Sequence, residues 1–240
     1  MLHILLLFII GIGGFLLFTN SDSLKTKLDN PQINVPIYTE ESSTLKSKVN
    51  ISVPFVSQAS TGNWDDPRQQ DGCEEAASYM AYLWATGQDK PSATEQEKKI
   101  IEISDWEEKT YGGYHDTSAK DTAERILKGY FKYTNFEVKH DIDADDIRAA
   151  LSQGNIVIAP ADGQAIQNPY FTSPGPERHF LLIRGYDLAK DEFITNDNGT
   201  KRGEAYRYKT SQLMNALRDY PTGYHEPITE NKKAIIIIKK

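Results

Sequence analysis

The sequence predicts an α+β fold, with helices from the first half of the chain packed on an antiparallel sheet from the second half. Apolar side chains recur at helical spacing in residues 73–85, 92–107 and 119–133. Between residues 156 and 238 the apolar residues instead form short runs typical of strands. Helices and strands that occupy different halves of a chain favour α+β, because α/β proteins alternate them.

The first residues carry a separate signal. Leu2–Phe18 is almost wholly apolar (LHILLLFIIGIGGFLLF) and would span about 25 Å as a helix. A signal peptide and an uncleaved anchor both fit this run. The anchor is favoured, because no Lys or Arg precedes the run and residues 18–21 make a poor cleavage site. We expect residues 1–20 to anchor the protein to a membrane with its domain extracytoplasmic, although Lys25 and Lys27 alone would favour the opposite orientation. Secretion after cleavage is the alternative.

A polar linker and one folded domain are expected after this segment. Residues 21–50 are rich in Ser, Thr, Lys, Asp and Asn, and such a linker has a reach of about 30 Å. Residues 51–240 are numerous enough to bury one sizeable core. The net charge of −7 and the short basic clusters exclude nucleic-acid binding as a function.

The cysteine count and the motifs limit the chemistry. With one cysteine, no intramolecular disulfide can form. His115 has no second metal ligand at a useful spacing, and the chain has no phosphate-binding Gly-rich loop. The run Asp141-x-Asp143-x-Asp145 lacks the Gly and Glu of a calcium loop, so we interpret it as helix capping. We therefore expect no metal and no cofactor.

Further helices and strands are predicted from local composition and from glycines that end helices. Ser52–Val56 predicts a short strand, and the helix that opens at Cys73 is expected to stop at Gly87. The later elements are a helix at 143–153, strands at 156–159, 179–186, 192–195 and 205–208, a helix at 211–218 and a buried strand at 234–238.

Cys73 is the candidate nucleophile. A thiol attacks as the thiolate, and the positive end of a helix lowers the pKa of a thiol. Cys73 opens its predicted helix directly after Gly72, which is the position where a thiol would be activated. The alternative is a small buried residue that packs the helix against the sheet, which is the commoner role of an isolated cysteine.

His179 is the candidate base. It opens the apolar run HFLLIRGYD, so it can lie at the end of a buried strand; a purely structural histidine is the alternative. The chain then turns and returns as EFITND, which predicts a hairpin whose second strand ends beside His179. Asn196 or Asp197 would then orient the imidazole. The same residues also favour an ordinary turn.

Acyl transfer also requires donors for an oxyanion. The main-chain amide of Cys73 is one candidate. Gln58, which ends the run VPFVSQ, is the candidate for the second donor, and Gln69 and Gln70 are its alternatives. The loop 168–176 precedes the histidine strand, and we interpret it as a rigid surface loop rather than the wall of a substrate groove.

Four segments occur in a characteristic order between residues 51 and about 200: VPFVSQ, DGCEEAASYMAYLW, RHFLLIRGYD and FITNDNGT. Together they resemble the bacteriocin-processing, double-glycine-leader cysteine peptidases, family thirty-nine within the papain-like clan. The resemblance implies a papain-like fold and a hydrolase acting on the peptide or amide bonds of a peptide or protein substrate. Residue by residue, it implies Cys73 as nucleophile, His179 as base, Asp197 as orienting acid and Gln58 as oxyanion donor.

Two departures from the family pattern affect the functional prediction. The family usually has Cys-Gly-Pro, whereas this chain has Cys73-Glu74-Glu75, whose carboxylates would raise the pKa of the thiol. The segment 59–72 is also longer than in the tightest family members, and we expect it to reshape the cleft. The alternatives to a hydrolase are a catalytically inactive, peptidase-like binding module and an enzyme that transfers the acyl group to an amine.

Overall fold

The structure is a computed structural model that describes residues 45–240. The predicted apolar segment 1–20 and most of the predicted linker 21–50 lie outside the described residues. Within the described part, no helix is long and apolar enough to cross a membrane.

Residues 45–240 form six α-helices and seven β-strands. The helices are α1 (Pro67–Gln70), α2 (Cys73–Thr86), α3 (Ala93–Tyr111), α4 (Ala119–Thr122), which continues as a π-helix over Ala123–Tyr130, α5 (Ala144–Ser152) and α6 (Thr210–Ala216). The strands are β1 (Lys48–Asn50), β2 (Phe136–His140), β3 (Ile156–Ala161), β4 (His179–Asp187), β5 (Glu192–Asn196), β6 (Tyr206–Lys209) and β7 (Ala234–Ile238).

The strands form one antiparallel sheet. Its order is β2-β7-β3-β4-β5-β6, and β1 pairs separately with the end of β4. Both faces of the central strands are covered. Phe180 and Leu182 of β4 pack on the side of α2 and α3, whereas Leu181 and Ile183 pack on the side of α5 and α6. The predicted α+β fold is therefore confirmed, and burial on both faces explains why the central strands are continuously apolar.

The start of α2 lies tightly against α3. A Cβ atom on Gly72 would approach the carbonyl oxygen of Arg68 to 2.6 Å and the side chain of Ile100 to 2.8 Å, so only glycine fits directly before Cys73. The helix ends where predicted, because Gly87 adopts the left-handed conformation with φ 69°. The backbone at Cys73 is thus fixed by packing.

The first strand differs from the prediction. Ser52–Val56 is buried at Val53, Phe55 and Val56 but has no strand pairing, and Pro54 cannot donate a ladder hydrogen bond. Pairing occurs earlier, where Lys48–Asn50 lies beside the end of β4. The folded part therefore starts within the stretch that composition predicts as linker.

Two other elements differ from the sequence-based expectation. The helix predicted at 119–133 changes from α to π geometry after Thr122 and ends at Tyr130. Strand β2, which was not predicted, pairs with β7 at the edge of the sheet, where it is largely half-exposed. The capping role of Asp143 is confirmed, because its side chain accepts hydrogen bonds from the amides of Asp145 and Asp146.

Candidate active site

Cys73 is the first residue of α2 and is 7% exposed. Its carbonyl oxygen accepts a hydrogen bond of 2.8 Å from Nδ2 of Asn198, which follows Asp197 directly in the chain. A position at the positive end of a 14-residue helix favours a thiolate. The position of Cys73 at the start of the helix therefore agrees with the sequence-based expectation for a reactive thiol.

The neighbours of the sulfur oppose this effect. The thiol donates a hydrogen bond of 2.9 Å to Oε2 of Glu74. Burial raises the pKa of the Cys73 thiol well above its ordinary value, and Glu74 and Glu75 raise it further, while the backbone amide of Phe180 acts in the opposite direction. The effect expected from the Glu74–Glu75 pair is confirmed in direction. The buried thiol is therefore in its neutral form at neutral pH.

His179 and Asp197 are hydrogen-bonded to each other. His179 is the first residue of β4, Asp197 follows the last residue of β5, and the two strands are antiparallel neighbours. Nε2 of His179 lies 2.9 Å from Oδ1 of Asp197, and the two side chains are 2% and 0% exposed. The contact leaves the other ring nitrogen, Nδ1, free for a partner.

The residue beside the imidazole is Asp197 rather than Asn196. The Asn196 side chain points elsewhere: its amide nitrogen donates to the carbonyl of Val53, and its oxygen accepts from Arg184 and from the amide of Ala205. Of the two residues left open by the sequence, only Asp197 contacts His179.

The second carboxylate oxygen of Asp197 is held by two residues that sequence reasoning did not assign to the site. Tyr208 donates its hydroxyl at 2.5 Å and Asn168 donates Nδ2 at 3.0 Å. Burial alone would raise the pKa of Asp197, but the charge of His179 and the hydrogen bonds from His179, Tyr208 and Asn168 bring it below its ordinary value. Asp197 is therefore ionised at neutral pH and can stabilise an imidazolium.

The imidazole is also fixed by packing. The Phe171 ring meets it edge-on, with centroids 5.3 Å apart and an interplanar angle of 78°. A Cβ atom on Gly199 would lie 2.8 Å from the Phe171 ring and 3.1 Å from Cε1 of His179, so the turn after Asp197 needs glycine here. The loop 168–176, interpreted from sequence as surface, thus contacts the His179–Asp197 pair through Asn168 and Phe171.

Cys73 contacts the residues that follow His179 and Asp197 in the chain. The amide of Phe180, the residue after His179, acts on the sulfur, and Asn198, the residue after Asp197, donates to the Cys73 carbonyl. The helix start, the start of β4 and the end of β5 therefore lie close together.

Gln58 lies beside this group through its backbone, whose amide donates to the carbonyl of Asn198 at 3.1 Å. Its side-chain amide donates to the carbonyls of Gln69 at 3.1 Å and Gln70 at 2.9 Å, and its Oε1 is buried without a partner. Both side-chain protons are therefore in use, and the role of Gln58 as oxyanion donor stays a prediction. Among the alternatives, Gln69 donates instead to Glu97.

The segment 59–72 contains α1 and a surface depression. Asn63, Asp65, Asp66, Pro67 and Arg68 line this depression together with Tyr114, and its volume is about 550 Å³. The Arg68 guanidinium is paired with Asp66 and Asp105. This segment thus forms its own structured surface before Cys73.

Metal-ligating residues do not cluster in the described part of the chain. Residues 45–240 contain no group of three or more His, Cys, Asp and Glu side chains placed to hold an ion. His115 lies 3.6 Å from Asp71 and stacks on Tyr114.

Comparison with known proteins gives one family. The model of the Peptidase_C39 like family matches residues 50–225. Among solved structures, a protein from Bacillus anthracis described as a C39-like peptidase matches with 12% identity and a TM-score of 0.49, over 80% of this chain and 98% of the other. Xylellain, a cysteine protease from Xylella fastidiosa, matches with 14% identity and a TM-score of 0.47, over 81% and 86%. Among curated proteins, no sequence matches.

Proposed function

Since the chain belongs to the Peptidase_C39 like family, we propose that it is a cysteine peptidase or amide hydrolase with Cys73 as nucleophile and His179 as base. Asp197 orients the imidazole in this proposal. The observation that supports it is the buried 2.9 Å contact between His179 and Asp197. Cys73 begins a helix, and its carbonyl accepts a hydrogen bond from Asn198, the residue after Asp197. A histidine held in one orientation by an ionised carboxylate is the usual partner of a catalytic thiol or hydroxyl.

The proposed reaction uses these groups in sequence. The imidazole of His179 takes the proton of the Cys73 thiol, and the sulfur attacks the carbonyl carbon of a peptide or amide bond. His179 then returns this proton to the leaving amine, and an acyl thioester remains on Cys73. A water molecule, deprotonated by His179, releases the acid and restores the thiol. The amide of Cys73 and the side chain of Gln58 are the proposed donors to the oxyanion.

Hydrolysis of a mixed peptide library by the full-length chain tests this proposal. New termini, identified by mass spectrometry, are expected with the wild type and are expected to disappear in Cys73→Ala and in His179→Ala. An added amine distinguishes hydrolysis from acyl transfer, because transfer would yield amide products. Equal cleavage by the wild type and Cys73→Ala would contradict the proposal.

One observation favours a second candidate, a catalytically silent binding module with the peptidase fold. The Cys73 thiol donates to Glu74 and has a raised pKa, whereas an active thiol needs a lowered pKa. Binding of library peptides without cleavage under all conditions, with equal affinity in the wild type and Cys73→Ala, would support this module over the hydrolase.

We also propose that residues 1–20 anchor the protein to a membrane. The apolar composition of Leu2–Phe18 supports this. Fractionation of cells that express the full chain is expected to place it in the membrane pellet, resistant to alkaline carbonate. Release by carbonate, or a mature protein that lacks these residues, would contradict an uncleaved anchor.

A further inference from the structure

Glu74 is fixed against the nucleophile by three separate parts of the chain. Its Oε2 accepts the thiol of Cys73 at 2.9 Å. Its Oε1 accepts the hydroxyl of Tyr220 at 2.7 Å and the amide of Thr117 at 3.2 Å. The side chain is 2% exposed. Because each contact comes from a different element, the carboxylate cannot leave the sulfur without disrupting packing around Tyr220.

The groups that face Glu74 are mostly acidic. Asp116 acts on it from the loop before α4, and the completely buried Glu75 and Glu107 lie near it on α2 and α3. Among the described residues, no Lys, Arg or His hydrogen-bonds Glu74; Arg125 acts on Glu107. Glu74 is thus a buried carboxylate without a cationic partner, and such a group readily takes up a proton.

The hydrogen bond between Cys73 and Glu74 opposes catalysis while Glu74 is ionised. A carboxylate that accepts from a thiol stabilises the neutral S–H form, and its negative charge destabilises a thiolate. Protonation of Glu74 removes both effects at once. The sulfur is then no longer hydrogen-bonded to an anion.

We propose that Glu74 is a positioning residue that holds Cys73 as a neutral thiol and releases it when Glu74 takes up a proton. The inference rests on the proposed function, because the released thiol must have His179 as its proton acceptor. In the step, one proton from solvent binds Glu74, and the thiol proton moves to the ring nitrogen of His179 that does not face Asp197. One proton is taken up in total, and the product is a thiolate–imidazolium pair.

The pH dependence has a defined sign. Burial raises the pKa of Glu74 to about 7, the hydrogen bonds from Cys73 and Tyr220 oppose this, and Asp116 adds to it. Glu74 therefore becomes neutral as the pH falls through this value. The reactivity of Cys73 is expected to rise as the pH falls toward the mildly acidic range. An unperturbed thiol does the opposite, because its thiolate fraction falls with pH.

Alkylation by iodoacetamide measures this directly, because Cys73 is the only cysteine in the chain. The rate is followed by intact mass from mildly acidic to mildly alkaline pH on the folded, full-length protein. Glu74→Gln keeps the shape of the side chain and its acceptor oxygen but cannot ionise. We expect this variant to react about tenfold faster than the wild type above neutral pH, because a neutral amide does not oppose the thiolate, and to lose the acid-side rise.

Two further variants keep the inference falsifiable. Tyr220→Phe removes a hydrogen bond that lowers the pKa of Glu74, so the inflection of the rate is expected to move to higher pH. Glu75→Gln is the comparison variant: Glu75 also raises the pKa of the thiol, but it is buried without bonding the sulfur. We therefore expect a smaller acceleration than in Glu74→Gln, with the acid-side rise retained. Superimposable profiles for the wild type and Glu74→Gln, a slower reaction of Glu74→Gln, or an unmoved inflection in Tyr220→Phe would overturn the proposal.

His179→Ala separates this proposal from the proposed function. If Cys73 and His179 form a pair, His179→Ala lowers the alkylation rate of Glu74→Gln. If His179→Ala leaves the alkylation rate unchanged in both the wild type and Glu74→Gln, the hydrolase proposal fails. The difference in rate between the wild type and Glu74→Gln still decides the role of Glu74.

Discussion

Nε2 of His179 lies 2.9 Å from Oδ1 of Asp197, and the contact is built by two adjacent strands rather than by a flexible loop. His179 begins β4 and Asp197 follows β5. The strands pair in antiparallel register, and both are largely buried. The orientation of the imidazole is therefore a consequence of sheet register. Single substitutions can test how this orientation contributes to activity and stability.

Asp197→Asn keeps the size of the side chain and removes its charge. We expect kcat to fall about 10²- to 10⁴-fold with little change in KM, because the imidazolium loses its stabilising carboxylate and the ring its preferred tautomer. Steady-state kinetics on a peptide found in the library measure this. Asp187→Asn is the control, because it removes a buried carboxylate at the opposite end of β4; equal losses in the two variants would contradict the assignment.

Tyr208→Phe removes one of the two side chains that hold the second oxygen of Asp197. We expect the free energy of unfolding to fall by about 1–3 kcal/mol, because a buried carboxylate loses a donor. Urea unfolding measures the change. Tyr206→Phe on the same strand is the control, since the Tyr206 hydroxyl makes no hydrogen bond within residues 45–240; a larger loss in that variant would contradict the role of Tyr208.

Gln58→Ala distinguishes an oxyanion donor from a structural residue. If the side chain stabilises the oxyanion, peptide hydrolysis falls about 10²- to 10³-fold, while alkylation by iodoacetamide, which forms no oxyanion, is unchanged. A purely structural role through the carbonyls of Gln69 and Gln70 would instead lower the free energy of unfolding and affect both reactions alike. Gln70→Ala controls for the neighbouring candidate donor.

Glu107→Gln tests the buried acidic cluster behind α2. Burial and the charge of Glu74 raise the pKa of Glu107, and Arg125 only partly opposes them. A carboxyl whose pKa is raised on folding stabilises the folded state. This contribution is fully present below the pKa of the unfolded chain, about 4.3, and is lost as the pH rises through the pKa of the folded protein. We therefore expect the wild type to lose stability from mildly acidic to alkaline pH.

Glu107→Gln cannot ionise, so its free energy of unfolding is expected to vary less with pH than that of the wild type. Urea unfolding at several pH values measures this variation. Glu108→Gln, which changes an exposed side chain of the same helix, is expected to follow the wild type. Parallel curves for Glu107→Gln and the wild type would show that Glu107 does not titrate anomalously.

The main elements of the fold can be predicted from sequence, because the spacing of apolar residues and the glycines at helix ends indicate the same boundaries. Helix α2 begins and ends at glycine-flanked positions, and β7 is a run of β-branched residues. The hairpin of β4 and β5 places Asp197 near His179 by length alone. In contrast, β2 was missed because an edge strand that is largely half-exposed carries little apolar pattern.

Other parts of the site have no local signal. Tyr208 and Asn168 reach Asp197 from 11 and 29 residues away in sequence, so only the tertiary fold brings them together. A glutamate in the first turn of a helix, such as Glu74, is usually exposed to solvent. Here Glu74 is buried, and its carboxylate accepts a hydrogen bond from Tyr220, 146 residues later in the chain. The pKa of the thiol depends on this long-range packing, which is why the activation of Cys73 cannot be decided from its helix position.

The central claim is that Cys73 and His179 act as a nucleophile–base pair. The most direct measurement is the rate at which the full-length protein forms a covalent adduct with a peptide vinyl sulfone, followed by intact mass. We expect one adduct on Cys73, none in Cys73→Ala, and a rate at least about 100-fold lower in His179→Ala. Labelling of His179→Ala as fast as the wild type would contradict the account.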